Sequence, residues 1–160
     1  MRWASTIALA GAVVGVAIWL GEDLSRATPL GMVFLLPCGA LLGYLLAPYR
    51  SLIGALSFAS ITVLCGAGGC YVGRTNATAA FNDCVERGET VRDSLAQFLA
   101  RHGEFPDDLH RLALRDLPGR RWLRGTLLAY RRTSGGYEMS FSDWLVTHQA
   151  TETHAFAARK

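Results

Sequence analysis

The chain has 160 residues, is 51% hydrophobic, and carries 16 basic against 13 acidic residues for a net charge of +3. That balance excludes the strongly basic face of a nucleic-acid binder, and from Arg74 onward the count is 13 basic to 11 acidic, mixed in the same way. The apolar residues are concentrated in three charge-free blocks within residues 3–72, which excludes an ordinary chain with a single water-soluble core.

The blocks are residues 3–20, 30–47 and 52–72, each 18 to 21 residues long. Roughly 20 residues of helix cross about 30 Å of hydrocarbon. Lipid offers backbone groups no outside partner, so each block is expected to be helical. The fold class that follows is a membrane α-helical region of three transmembrane helices over residues 1–73. A small soluble α+β domain over residues 74–160 completes it, with one long helix packed on a short antiparallel sheet. Gly21-Glu22-Asp23 follows the first block with no A-x-A-like cleavage site, so the block is expected to be retained. Trp3, Trp19, Tyr49 and Tyr71 lie near block ends, where amphipathic rings favour the headgroup zone.

Arg2 and Arg50 place the N-terminus and the second loop in the cytoplasm by the positive-inside tendency. Three crossings then put the C-terminal domain outside. All basic residues but Lys160 are Arg, which fits a GC-rich bacterial genome. The expected location is therefore a bacterial inner membrane with a periplasmic head, and the lipid bilayer is the first expected partner.

Each block contains a GxxxG pair: Gly11 with Gly15, Gly39 with Gly43, and Gly69 with Gly73. Small residues four apart let a second helix backbone approach closely. They predict tight helix packing, within the bundle or with other membrane subunits. No Asp, Glu, Lys, Arg or His falls inside a block, which argues against a pump or ion-coupled carrier. Cys70 and Cys84 would stand about 21 Å apart on a continuous helix, against the ~7 Å a disulfide allows. A bridge needs a break near Gly73–Asn76; two free thiols are expected.

In the tail, Phe81, Val85, Val91, Leu95, Phe98 and Leu99 form a helical stripe between Ala79 and His102. Gly103 and Pro106 stop it. Asp107 or Asp108 would cap a short helix bearing Leu109, Leu112 and Leu114, ended by Pro118-Gly119. Thr126–Arg132 reads as a strand and Ser134-Gly135-Gly136 as a turn. Tyr137, Met139 and Phe141 then alternate with Glu138, Ser140 and Ser142. Trp144–Thr147 and His154–Ala158 are candidates for two further strands.

The helix ending in His102-Gly103-Glu104-Phe105-Pro106-Asp107-Asp108-Leu109, followed by a hairpin containing Gly136-Tyr137-Glu138-Met139-Ser140-Phe141, resembles the periplasmic headpieces of type IV pilin-like and pseudopilin-like proteins. The resemblance covers the C-terminal region alone. It implies a pilin-like head shape, and a place in a secretion or pilus system.

Three constellations could carry chemistry. His148, Glu152 and His154 offer two imidazoles and a carboxylate to a metal, though their spacing matches no standard motif. Arg120, Arg121 and Arg124 surround Trp122, a basic and aromatic patch suited to lipid phosphates or an acidic partner. Ser134-Gly135-Gly136 is a turn rather than a nucleophile elbow. No catalytic residue, metal or cofactor is expected. The leading expectation is a non-catalytic inner-membrane subunit or scaffold of a larger complex. The alternatives are a secretion or pilus component and a membrane-bound enzyme acting on lipid or envelope substrates.

Overall fold

The structure is a computed structural model that describes residues 2–23, 52–112, 114–143 and 145–159. The chain divides into two compact units, Met1–Thr75 and Asn76–Lys160.

The first unit holds α1 (Arg2–Gly21) and the beginning of α2 (Leu52–His102). Their backbones meet because small residues face each other. A methyl group at Gly69 would lie 2.7 Å from the Ala17 Cβ and 2.9 Å from the Val14 carbonyl oxygen. One at Gly73 would collide with the Ile18 carbonyl, and one at Gly21 with the backbone of Cys70. Ala17 and Glu22 are completely buried there. Gly11 and Gly15 are different: nothing lies within 4 Å of where a side chain would begin. Gly39 and Gly43 lie outside the described residues.

The expectation of three transmembrane helices over 3–20, 30–47 and 52–72 is overturned. The described residues contain two α-helices, and no helix among them is long and apolar enough to cross a membrane. The block 30–47 lies outside the described residues. A charge-free run is not the same as an apolar one. Half of residues 3–20 and ten of the 21 residues in 52–72 are Ala, Gly, Ser or Thr. Ala and Gly carry less apolar area than Leu, Ile or Phe, and transfer free energy scales with that area. Nor does the third block end as a separate helix. The hydrogen-bond ladder of α2 runs on without a break through Arg74 and the polar sequence beyond it. Cys70 and Cys84 therefore share one unbroken helix, and both are free thiols.

In the second unit, α2 ends at His102, where Gly103 takes φ +77° and donates its N–H to the Leu99 carbonyl at 2.8 Å. The buried residues on this half are Ala77, Ala80, Cys84, Gly88, Val91 and Leu95, steps of three and four that define one helix face. Val85, expected in the stripe, is 51% exposed because it sits one residue out of phase with Cys84.

That face packs on a four-stranded antiparallel sheet of β3 (Ala129–Thr133), β4 (Gly136–Ser142), β5 (Thr147–Thr151) and β6 (Ala157–Arg159). Each strand pairs with its neighbour in sequence. Tyr137, Met139 and Phe141 of β4 point inward and join Cys84, Val91 and Leu95 of α2 in the core. Burying each large side chain there stabilises the fold by about 1.5–3 kcal/mol. Gly88 admits the ring of Phe156, which a methyl group would meet at 2.8 Å.

Several local expectations change. The strands expected over Trp144–Thr147 and His154–Ala158 are β5 at Thr147–Thr151 and β6 at Ala157–Arg159, and Trp144 lies outside the described residues. The short helix after Pro106 is a single 3-10 turn, Leu109–Arg111. Asp108 caps it by accepting the His110 N–H, and Leu112 leaves with extended backbone. The strand expected over Thr126–Arg132 is two strands. The Leu127 N–H donates to the Gly119 carbonyl at 2.7 Å, which draws the chain away from the main sheet before β3 begins.

Candidate functional site

The segment between the 3-10 turn and β3 forms a cleft and a small hairpin on the Asn76–Lys160 unit. It is anchored to α2 by two side chains one turn apart. The Asp83 carboxylate accepts the Gly119 N–H at 2.9 Å. Arg87 pairs with Asp83 at 3.2 Å and donates to the Asp116 carbonyl at 2.6 Å. Gly119 has φ +79° and lies so close to Cys84 that a methyl group would strike the sulfur. Only glycine satisfies both demands.

Beyond Gly119, β1 (Arg120–Arg121) pairs with β2 (Gly125–Thr126). Trp122, Leu123 and Arg124 form the loop, and Gly125 closes it at φ +71°. The Arg121 guanidinium folds over its own hairpin and reaches the carbonyls of Arg124, Gly125 and Thr126, each at 3.3 Å. Arg121 is thus a staple of the loop. At the tip, Trp122 is 66% exposed and Leu123 is 52% exposed.

The adjoining cleft has a volume of about 510 Å³. Leu109, Leu112, Leu114 and Leu117 supply its apolar lining, and Arg115, Arg120, His110 and Asp116 its polar groups. The lining is shared between leucine side chains and charged or polar groups, so the cleft offers both kinds of contact to a bound side chain or small segment. The Arg120, Arg121, Trp122 and Arg124 patch expected from sequence is brought together in one hairpin, with Arg120 facing the cleft and Arg121 turned onto the backbone. Sequence reasoning missed Arg115, Leu117 and Leu123. The leucine spacing around residue 112 pointed to a helix face, whereas here it lines a groove.

His148, Glu152 and His154 do not converge. His148 stacks on Phe141 with ring centroids 4.8 Å apart and planes 2° from parallel, and meets Phe81 edge-on at 5.6 Å. His154 sits in the turn after β5, with Nδ1 2.8 Å from the Thr153 hydroxyl. A strand advances roughly 3.3 Å per residue, so the end of β5 carries Glu152 and His154 away from His148. Among the described residues no group of three or more His, Cys, Asp or Glu is placed to hold a metal ion.

Cys84 lies under the site. Burial, with the charge of Asp83 beside it, pushes its thiol up to about 12 against the opposing pull of Arg121 and Arg87. It is a protonated packing group at neutral pH and not a nucleophile.

Compared with models of protein families, with curated proteins and with solved structures, the chain matches none.

Proposed function

We propose that the chain is a non-catalytic accessory or scaffold subunit that engages a partner protein through the hairpin Arg120–Thr126 and the cleft beside it. The observation that carries this reading is the exposure of Trp122 and Leu123 on a loop that two separate devices hold in shape. Trp and Arg are the residue types most enriched at the energetic centres of protein interfaces. A rigid loop presents them without a large ordering cost on binding.

The test uses the tagged full-length chain and a Trp122→Ala/Leu123→Ser variant, compared by quantitative mass spectrometry of co-purifying proteins. Circular dichroism confirms that both are equally folded. A stoichiometric partner should drop about tenfold or more with the variant. Equal recovery sinks the reading.

A second reading is a component of a secretion or pilus system. It is favoured by one observation, the packing of the helix residues Cys84, Val91 and Leu95 on a sheet whose strands follow one another in sequence. That is the head shape the resemblance to pilin-like proteins implies. Recovery of pilin-like assembly proteins with the tagged chain, undiminished by the hairpin variant, would select this reading over the first.

A further inference from the structure

We infer that the cleft takes an acidic peptide segment of a partner, with one aliphatic or aromatic side chain seated on the leucine floor and flanking carboxylates on Arg115 and Arg120. The inference rests on the interaction reading above and names the chemistry of its partner.

Charge carries the first part. Between residues 115 and 126 stand Arg115, Arg120, Arg121 and Arg124 against Asp116 as the one acidic residue. Elsewhere in this unit, among the described residues, Arg87 holds Asp83, Arg92 holds Glu89, Arg111 holds Asp107, Arg131 holds Glu138, and Arg132 holds both Glu104 and Asp107, whereas the exposed Arg101 holds none. Among the described residues Arg115 and Arg120 hold none within 4 Å, although both line the cleft. A guanidinium is a planar fork that fits a carboxylate with two parallel hydrogen bonds. Two such forks at one opening select an anionic partner.

Shape carries the second part. The cleft is concave and its floor includes Leu109 and Leu112, which are 5% and 6% exposed. A flat bilayer surface could bring phosphates to the arginines but would leave about 510 Å³ of leucine-lined space unfilled. A peptide segment can occupy it with one side chain and the flanking backbone. Trp122 and Leu123 stand exposed on the same hairpin that carries Arg120 to the cleft.

The experiment selects a random-peptide phage library on the immobilised full-length chain, then measures a synthesised representative by fluorescence anisotropy. Enriched peptides should carry Asp or Glu on both sides of Leu, Phe, Met or Trp. Arg115→Glu/Arg120→Glu should weaken the representative about tenfold or more. A version with Lys in place of its acidic residues should prefer that variant to the parent chain. Selection of basic or uncharged peptides, or binding indifferent to the double substitution, overturns the inference. So does tight binding to phosphatidylcholine–phosphatidylglycerol vesicles that needs both arginines while the library yields no acidic consensus. If the hairpin variant loses its co-purifying partner but the arginine variant keeps it, the interaction reading stands and this inference alone fails.

Discussion

Gly73 and Gly15 have the same residue type and opposite surroundings. A Cβ at Gly73 would collide with the Ile18 carbonyl, while one at Gly15 meets nothing within 4 Å. Gly73→Val should therefore destabilise the Met1–Thr75 unit by about 1–3 kcal/mol, the usual cost of overpacking. Gly15→Ala should be neutral or stabilising by up to about 1 kcal/mol, through helix propensity alone. Thermal unfolding of the two variants reads the difference directly; equal effects would mean that the backbones do not meet at Gly73. The GxxxG spacing is visible in the sequence for both pairs. What it cannot show is which pair has a neighbour, since that depends on the phase of a second helix. The same holds for histidine. His148 and His154 are close in sequence, yet one is an aromatic packing member and the other a turn residue, because strand geometry separates them.

At the level of elements, the strongest sequence signal is period. The stretch Tyr137–Ser142 alternates cleanly, and it is β4, central in its sheet. The helix through Val91 and Leu95 is equally plain, ended by Gly103. The hairpin of β1 and β2 was invisible because no periodic pattern builds it. It depends on single bonds: Leu127 N–H to Gly119, Arg121 to three carbonyls, and Gly119 N–H to Asp83. The last of these is the most exposed to test. Asp83→Ala removes the acceptor for Gly119 and the partner of Arg87 together, at an expected cost of about 1–3 kcal/mol. Hydrogen exchange at the Gly119 and Leu127 amides should accelerate while the amides of β4 stay protected. Uniform acceleration across the sheet would show that the segment and the sheet open as one.

For the molecule as a whole, Glu89 links α2 to the last turn of the sheet. One carboxylate oxygen accepts the Phe156 N–H at 3.0 Å and the other holds Arg92 at 2.6 Å. Partial burial pushes this carboxyl up, but the two contacts outweigh it and hold it below its ordinary 4.5. A lowered folded value means that Glu89 stabilises the fold above the unfolded pKa, and that this contribution fades as pH falls through the folded one. Urea midpoints measured across the acid range should fall less steeply for Glu89→Gln than for the parent chain. An identical acid limb would remove Glu89 from the account. The same scale explains the overturned membrane expectation. Counting charge-free residues finds uninterrupted blocks, whereas α2 continues past Val72 as one helix and no helix among the described residues is long and apolar enough to cross a membrane.

The order of the sheet also bears on how quickly it assembles. Every pairing from β3 to β6 joins strands adjacent along the chain. Each therefore costs only the closure of a short loop, and loop entropy rises with the logarithm of length. Contacts so local place a domain toward the faster end of mixed α and β folders. The hairpins can zip one after another, without waiting for distant sequence to arrive.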